Sequence, residues 1–452
     1  MKHCFKKLKL ALFVLNLLIW VLPLTLEAVP AYPYPIPFKQ LDGSIVNIQL
    51  KGDEKVNWGE TTDGYKLLNN GKKGWEYATL NGDGDLSTSG ILAREVGKRT
   101  TKELTLLKKV SKDIHFSQKQ IQKKVSGEVI STSSNGVMRV AKALNGLTTD
   151  VSNKASKVFT PQGEKKLLMI LIQYKDVKFT KTVADFNNLM NTENYAGNGA
   201  SGSVKDLFKE MSYGKFNITT DVVGIYTATE NMAYYGANDA SGNDLHANEL
   251  MAEAVLRADE SGVDFSQYDN DGDGTVDGVY VVYAGKGEAT SGIAETIWPH
   301  ASSISPALTV DGKIVAKYSC SNELNNDNTL TTIGVICHEF GHVCGAPDYY
   351  DTDYETGGQF LGTSNWDLMC VGVYNKTVGG TSGNKPAPFN PFEKVRAGWV
   401  TPITLDKATK LSIPDITTNP VVYIYKSAVD NEYFMMENRQ QNGFNVGFKN
   451  IV

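Results

Sequence analysis

The order of apolar and polar positions along the chain predicts a protein that mixes strands and helices. From residue 29 to 99, short alternating runs such as SIVNIQL and GYKLLNN are separated by Gly and Asp turns, which is typical of a small β-rich unit. Further on, KKLLMILIQY is a continuous apolar run bounded by charge, as expected of a buried strand. Other strands are predicted at VYVVYAG, KLSIPDI, VVYIYKS and EYFMMENRQ.

Two segments of the second half of the chain have apolar residues at helical spacing. SVKDLFKEMSYG begins with a Ser N-cap and ends with Gly, and DLHANELMAEAVLRADES follows an Asp cap. Residues 100–159, in contrast, are rich in Lys, Ser and Asn and poor in aromatics, so we expect an exposed linker there. The pattern therefore predicts a β-rich unit at 29–99 and an α/β (α+β) unit at 160–452.

The first 28 residues have the pattern of a secretory signal peptide. MKHCFKKLK is basic, and the apolar run after it ends near the small residue Ala28. A retained membrane anchor is the alternative, but the run is shorter than the ~20 residues of a comfortable span, and Pro23 interrupts it. Since no other stretch is apolar and long enough, we expect no stable membrane span after signal removal and a secreted protein, extracellular or periplasmic.

Charge and cysteine content narrow the function further. The chain has 45 Lys and Arg against 50 Asp and Glu, so it lacks the basic excess of a nucleic-acid-binding protein. Once the signal peptide with Cys4 is removed, Cys320, Cys337, Cys344 and Cys370 remain. Two of these cysteines flank the segment HEFGH, so at least one disulfide that braces this region and free buried thiols are both open interpretations.

The segment LTTIGVICHEFGHVCGAPDYYD carries the clearest chemical signal, since it contains HExxHxxGxxD. On a helix, His338 and His342 project from one face and can bind one zinc ion. Glu339 lies beside them, where a carboxylate can take a proton from the attacking water and pass it to the leaving amine. The predicted chemistry is metal-dependent hydrolysis of a peptide bond.

The third zinc ligand has two candidates. Gly345 lies where the helix should end and turn, which brings Asp348 round toward the histidines. The rival is Glu393 in the predicted helix FEKVRAGW, because a glutamate from a later helix completes other two-histidine sites. The spacing favours Asp348. His300 in IWPH lacks ligand spacing, and we assign it no role.

A second acidic motif precedes the strand VYVVYAG. DNDGDGTVD places Asp269, Asp271, Asp273 and Asp277 at alternate positions, with the Thr275 carbonyl among them, and these are the oxygens that a calcium loop uses. The twelfth position is a tyrosine and not the usual bidentate glutamate, so the loop departs from a complete EF-hand. We expect a structural calcium site, with a solvated turn as the alternative.

Several motifs taken together resemble the immune inhibitor A family of secreted bacterial metallopeptidases. They are SGSVKDLFKEMSYGKF, DFSQYDNDGDGTVDGVYVVYAG, IWPH, HEFGHVCGAPDYYD, NWDLM, FEKVRAGW and MMENRQ, and they span about residues 160–443. VPAYPYPI, KGDEKVNWGETTDGY and ILAREVGKRT are similar to the pro-regions of short relatives. NWDLM is also similar to the methionine turn of metzincins, in which Met369 would be an apolar floor beneath the metal.

The resemblance implies a secreted zinc endopeptidase that acts on proteins or peptides and is made as a precursor. Its organisation would be a signal peptide at 1–28, a β-rich pro-domain at 29–99, an activation linker at 100–159 and a zincin-type catalytic domain at 160–452. This catalytic domain would have a mixed sheet and an active-site helix. A catalytically silent, peptide-binding relative and a zinc hydrolase of other substrates are the alternatives. We expect the pro-domain to cover the cleft. Since no cysteine remains before Cys320, a pro-domain thiol is not the means of inhibition, and a carboxylate, the new N-terminal amine and steric cover stay open.

Overall fold

The computed structural model of the chain describes residues 27–450, apart from 72–73, 126–158, 240–241, 355–359 and 430–431. The expected signal peptide, except for its last two residues, and most of the expected linker lie outside the described residues. Within the described part, no helix combines the length and the apolarity that a membrane span needs.

The main sheet has six strands and is mixed, as the sequence predicts. Its strands are β1 (Glu27–Ala28), β8 (Gly163–Gln173), β9 (Phe216–Thr227), β10 (Val279–Tyr283), β11 (His300–Val310) and β12 (Lys313–Asn322), in the spatial order β1-β11-β12-β10-β8-β9. β9, β8, β10 and β12 are parallel, whereas β11 is antiparallel to β12, and β1 is antiparallel to β11. Every residue of β10 is buried, because both faces of the sheet are covered.

A second six-stranded sheet forms the N-terminal unit. It is an antiparallel meander of β2 (Ile36–Lys39), β3 (Ile45–Gly52), β4 (Asn57–Thr61), β5 (Lys66–Asn69), β6 (Trp75–Leu80) and β7 (Leu86–Leu92). In β3, Val46, Ile48 and Leu50 are buried at alternate positions, as the alternating sequence predicts.

The first part of the expected linker is helical where it is described. Helices α1 (Thr101–Leu107) and α2 (Gln118–Val125) lie there. α1 begins with a capping box, in which Thr100 and Glu103 bond each other's backbone N–H groups. Leu107 and Ile121 are buried in the apolar clusters of the N-terminal sheet, so these helices pack on it.

The other helices belong to the second unit. They are α3 (Val183–Asn191), α4 (Val204–Met211), α5 (Met232–Gly236), α6 (Ala247–Glu260), α7 (Glu288–Ser291), α8 (Ile333–Val343) and α9 (Pro391–Arg396). Ser203 caps α4 as predicted, but the helix ends before Gly214. The Asp cap predicted for α6 is wrong, because the Asp244 carboxylate accepts a hydrogen bond from the Trp298 N–H at 3.0 Å.

A three-stranded sheet lies near the C-terminal end, with strands β13 (Ile403–Leu405), β14 (Tyr423–Lys426) and β15 (Tyr433–Met436). The strand predicted at KLSIPDI is wrong, since only Asp415 forms a single bridge, to Asn438. Pro414 lacks the N–H that a paired strand would donate.

The apolar cores explain how the two units meet. Separate buried clusters cover the two faces of the main sheet. A third cluster is shared between the units: it combines Leu50 and Trp75 of the N-terminal sheet with Trp298, Val335 and Val373. Because Val335 lies on α8, the N-terminal unit is packed against the helix that carries the HExxH motif.

Candidate metal centre

Helix α8 is buried and ends in a sharp reversal at Gly345. Gly345 has φ 84°, and its N–H donates to the His342 carbonyl at 2.8 Å. The next N–H, of Ala346, reaches the Gly341 carbonyl at 3.1 Å. These two bonds form a Schellman motif, which favours glycine at the left-handed position. The reversal returns the chain to α8 and brings Asp348 beside the two histidines.

The three predicted zinc ligands lie together. His338 Nε2 is 3.3 Å from His342 Nε2 and 3.3 Å from Asp348 Oδ1, and His342 Nε2 is 3.5 Å from that oxygen. Tetrahedral zinc with bonds of about 2.0–2.1 Å needs ligand atoms roughly 3.3 Å apart. In addition, Asp348 Oδ1 is buried without a hydrogen-bond donor among the described residues. The donor set and its spacing therefore fit one zinc ion.

Backbone carbonyls orient both imidazoles. His338 Nδ1 lies 2.8 Å from the Leu368 carbonyl oxygen, and His342 Nδ1 lies 2.8 Å from that of Ala346. A carbonyl oxygen only accepts, so each Nδ1 carries the proton and each Nε2 presents its lone pair to the ligand cluster. The Glu27 carboxylate also lies 2.9 Å from His342 Nδ1.

Met369 packs beneath the ligand helix. A Cβ added at Gly341 of α8 would lie 2.6 Å from Met369 Sδ, so the sulfur occupies the space that any side chain there would need. Met369 follows Leu368, whose carbonyl holds His338. The position matches the apolar floor that the sequence resemblance implies.

Glu339 is fully buried and has one oxygen without a donor. Its Oε1 accepts a hydrogen bond from the Val29 N–H at 3.0 Å, whereas Oε2 has no hydrogen-bond partner among the described residues. Burial raises the pKa of Glu339 to about 8, although His338 and His342 oppose that shift. A carboxyl group in this position can both accept and return a proton.

Glu393 does not lie among the ligand atoms. Its Oε1 accepts from the Tyr349 hydroxyl at 2.7 Å and its Oε2 from Arg396 Nε at 2.7 Å. Tyr349 directly follows Asp348 in sequence. Glu393 is thus placed to support the turn that holds Asp348, a role that sequence reasoning missed.

Sequence reasoning also missed Tyr350. Its hydroxyl donates to the Ala28 carbonyl oxygen at the edge of the main sheet. Burial raises the pKa of Tyr350 well above its ordinary value, so the side chain keeps its proton. The only available signal was its position two residues after Asp348.

Comparison with known proteins identifies the family. The model of the immune inhibitor A peptidase M6 catalytic domain matches residues 154–400, which is more than half of the chain. The chain belongs to the immune inhibitor A peptidase M6 family. The family is one of metallopeptidases, so a metal and protein substrates are general properties of its members.

Two relatives are similar to this M6 family member over part of their length. Immune inhibitor A of Bacillus thuringiensis subsp. alesti is 27% identical over 286 residues, which is 53% of this chain and 41% of that protein. Pre-pro-metalloprotease PrtV of Vibrio cholerae serotype O1 (strain M66-2) is 27% identical over 262 residues, which is 51% of this chain and 27% of that protein. The chain therefore spans less than half the length of either relative.

The M6 chain has a second candidate metal site, a cluster of three aspartates before β10. One carboxylate oxygen from each of Asp269, Asp271 and Asp273 lies within 4.8 Å of the others. The loop's backbone holds these groups: the Gly274 N–H donates to Asp269 at 3.0 Å, and the Thr275 N–H donates to Asp273 at 2.8 Å. Asp269 also contacts Lys313 Nζ at 2.7 Å, and its Oδ1 has no hydrogen-bond partner among the described residues.

Two residues of the predicted calcium loop have other contacts in the structure. The Asp277 carboxylate accepts from the Asn270 N–H at 2.7 Å, which closes the loop. Thr275 forms a parallel bridge with Ile314 of β12. The structure therefore brings three of the five predicted residues into one cluster and places Asp277 and Thr275 at its closing end.

The four cysteines and His300 of this family member are buried side chains outside the predicted ligand set. Cys320, Cys337, Cys344 and Cys370 are all free and buried, which agrees with the free-thiol alternative. His300 Nδ1 is 2.7 Å from the Trp298 carbonyl oxygen, and its Nε2 is 2.7 Å from the Tyr318 hydroxyl. Burial lowers the pKa of His300 to about 4, so it is neutral at physiological pH.

Proposed function

We propose that this M6 family member is a secreted, zinc-dependent endopeptidase that hydrolyses peptide bonds in proteins. One observation carries the proposal: three donor atoms, from His338, His342 and Asp348, lie at the mutual distances of tetrahedral zinc ligands. One of these atoms, Asp348 Oδ1, is buried and receives no hydrogen bond from the described residues. Glu339 lies next to them in sequence on the same helix.

The residues of the chain have distinct tasks in this reaction. When bound, zinc supplies the Lewis-acid chemistry that activates water and polarises the substrate carbonyl. Glu339 takes the proton of the attacking water and delivers it to the leaving amine. Asp348 and the histidines keep fixed positions, because backbone carbonyls and the Schellman turn hold them, so little reorganisation accompanies the reaction.

We also propose that the protein is made as a precursor, with the signal peptide, pro-domain, linker and catalytic domain bounded as the sequence suggests. The name of its relative PrtV describes a pre-pro form. Support from the fold comes from the apolar cluster that the N-terminal sheet shares with Val335 of α8. The zincin-type fold belongs to the same proposal.

The Asp-rich loop is proposed as a structural calcium site. Carboxylate oxygens of Asp269, Asp271 and Asp273 are close enough to share one ion, and oxygen is the ligand that calcium prefers. Asp277 and the Thr275 carbonyl would complete the ligand set from the closing end of the loop.

The test of the proposed function is casein hydrolysis by the linker-cleaved protein, with and without a chelator. We expect hydrolysis that is lost with the chelator and restored by zinc, and about one zinc per chain by metal analysis. Glu339→Gln should lose most of this hydrolysis, because glutamine cannot carry the proton. Glu253→Gln is its matched control and should keep the hydrolysis, because Glu253 is also fully buried on a helix and hydrogen-bonded but lies outside the metal site. Zinc and peptide binding without hydrolysis would instead favour the catalytically silent relative.

A further inference from the structure

Arg439 lies three residues after β15, and its side chain is almost enclosed by protein. Only 7% of its side-chain surface is exposed. It belongs to the motif MMENRQ, which follows residues 154–400, the part of the chain that the family model matches. Because a charged side chain this deeply buried needs partners for its donors, its contacts show which parts of the fold it joins.

The Arg439 guanidinium joins two separate backbone segments. Nη1 donates to the Trp366 carbonyl at 2.5 Å, and Nη2 donates to the Phe389 carbonyl at 2.7 Å. Nε donates to the Glu437 carboxylate, which also accepts from Lys394 Nζ at 3.0 Å. Because a guanidinium is planar and its donors point in fixed directions, these contacts set the spacing of the two segments.

The partner that holds the guanidinium in place is an ionised carboxylate. Burial acts to raise the pKa of Glu437, but the charges of Arg439 and Lys394 outweigh burial and hold that pKa below its ordinary value. Glu437 is therefore negatively charged at neutral pH. Its hydrogen bond with Arg439 is between two charged groups, and such bonds are stronger than neutral ones.

The first of the two segments is the turn that carries Met369. Trp366 directly precedes this turn, and Asp367 closes it, because the Asp367 carboxylate accepts from the Met369 N–H at 3.2 Å. The same carboxylate accepts from the side chain of Asn390, which directly follows Phe389. The guanidinium and this second contact therefore join the same two segments at adjacent positions.

Two consecutive carbonyls of this turn reach the metal ligands. The Leu368 carbonyl oxygen lies 2.8 Å from His338 Nδ1, and the Met369 carbonyl accepts from the Tyr349 N–H at 2.8 Å. Tyr349 directly follows Asp348. One short turn thus orients the ring of His338 and holds the loop that presents Asp348.

Both segments also pack against the same point of helix α8. A Cβ added at Gly341 would lie 2.6 Å from Met369 Sδ and 3.3 Å from the ring of Phe389. Because protein interiors are close-packed, a change in the spacing of the two segments would shift the helix or leave a gap beneath it.

We propose that Arg439 is a positioning residue of the metal site, which fixes the turn Asp367–Met369 so that two of its carbonyls hold two of the metal ligands. These ligands are His338 and Asp348. The proposal rests on the proposed function. It also extends the catalytic unit at least to Arg439, because support for the ligands comes from beyond the residues that the family model matches.

The deciding variant is Arg439→Lys in the uncleaved chain. Lysine keeps the positive charge beside Glu437, but a single ammonium group lacks the fixed fork that bonds both carbonyls. We expect zinc to bind roughly 10–100-fold more weakly, as for loss of an outer partner of a metal ligand. With Co²⁺ as a probe in place of zinc, the visible absorption spectrum should shift, because it depends on the positions of the ligands.

Catalysis provides a second readout. In the linker-cleaved protein, Arg439→Lys should lower kcat for casein roughly 10-fold or more with little change in KM. The reason is that the ligands lose their fixed positions whereas the contacts with the substrate remain. An equal loss of kcat together with a much higher KM would instead mean that Arg439 acts on substrate binding.

Arg257→Lys is the matched control. Arg257 also pairs with a buried glutamate, Glu253, at 3.2 Å. It lies on α6, which packs on the opposite face of the main sheet from α8. The cobalt spectrum, zinc affinity and kcat of Arg257→Lys should therefore equal those of the wild type, even if its melting temperature falls.

A wild-type cobalt spectrum and zinc affinity in Arg439→Lys would overturn the proposal, whatever the melting temperature of the variant. If Arg439→Lys does not fold, Glu437→Gln replaces it: this change keeps the shape, removes the charge beside the guanidinium and should shift the spectrum in the same direction by a smaller amount. An unchanged spectrum in that variant would also overturn the proposal.

The metal readouts need no hydrolysis, so they separate this proposal from the proposed function. A wild-type chain that binds neither ion would overturn the proposed function and this proposal with it. Wild-type binding that Arg439→Lys leaves unaffected would overturn this proposal alone.

Discussion

The two candidate metal sites of this protein, the histidine site and the Asp-rich loop, are held in different ways. Around His338, His342 and Asp348, the ligand atoms come from a helix and the turn after it and lie 3.3–3.5 Å apart in a buried site. One imidazole is held by the Leu368 carbonyl of a distant segment and the other by the Ala346 carbonyl of the turn. In the Asp-rich loop, all three carboxylates come from one short turn and are held mainly by its own backbone N–H groups.

The way each site is held agrees with the ligand geometry that its expected ion requires. Zinc requires few ligands in a narrow geometry, and the histidine site receives that geometry from the packed fold. Calcium accepts six to eight oxygens in a variable geometry, so a local turn with some freedom is sufficient. We therefore expect the first site to be sensitive to changes far along the chain, and the second to be nearly independent of them.

The largest expected effect concerns Glu339, the proposed general base of the reaction. Glu339→Gln should lower kcat for casein by roughly 10²–10⁴-fold in the linker-cleaved protein while zinc remains bound, because shape is kept and the proton carrier is lost. Asp271→Asn, in the other cluster, should leave kcat nearly unchanged at a temperature where the protein is folded. Comparable losses in the two variants would mean that the clusters are functionally linked.

The second prediction separates the two candidate third ligands by zinc affinity. Asp348→Ala should weaken zinc binding by more than 100-fold, whereas Glu393→Ala should weaken it by roughly 10–100-fold at most, as for an outer partner. Glu393→Ala should also lower the melting temperature, because Tyr349 and Arg396 lose a buried partner. Competition with a zinc-selective dye measures both affinities, and the reverse order would exchange the roles of the two carboxylates.

The third prediction concerns calcium and stability. Calcium at about 100 times its Kd should add about 2.7 kcal/mol to the free energy of unfolding, seen as a higher melting temperature. Asp271→Asn should reduce this gain. Asp264→Asn is the control, since Asp264 only caps a neighbouring turn and Asn caps equally well. If calcium does not change the wild-type melting temperature, the loop is only a turn.

The smallest expected effect is on pH dependence. Burial raises the pKa of Asp277 above its ordinary value, so without an ion the folded state disfavours the ionised form and gains stability as pH falls through that pKa. Calcium needs the ionised form. The rise in melting temperature on adding calcium should therefore be smaller near pH 4.5 than near pH 7. An equal rise at both values would exclude Asp277 from the ligand set.

The sequence predicted the contacts that arise from short spacing and missed those between distant segments. His338 and His342 are one helical turn apart, and Gly345 turns Asp348 back, so local geometry was sufficient. The contacts of Val29 with Glu339 and of Ala28 with Tyr350 join residues 310 and 322 positions apart, and no periodicity encodes them.

Among the elements, the misses have physical reasons as well. Helix α1 lies in a stretch whose Lys-rich composition suggests a linker, although the Thr100 and Glu103 capping box was readable in the sequence. The KLSIPDI strand was predicted from alternation alone, without regard to Pro414. Strands β8 and β10 of the main sheet were predicted because they are apolar runs.

The apolar cluster shared by the two units has a consequence for activation. It joins Leu50 and Trp75 to Trp298 and Val335, and none of these contacts depends on the covalent link through residues 126–158. A cut in that link would leave a non-covalent complex of two fragments. The appearance of activity would then be governed by the rate at which the fragments dissociate, or at which the smaller one is digested, and not by the rate of the cut.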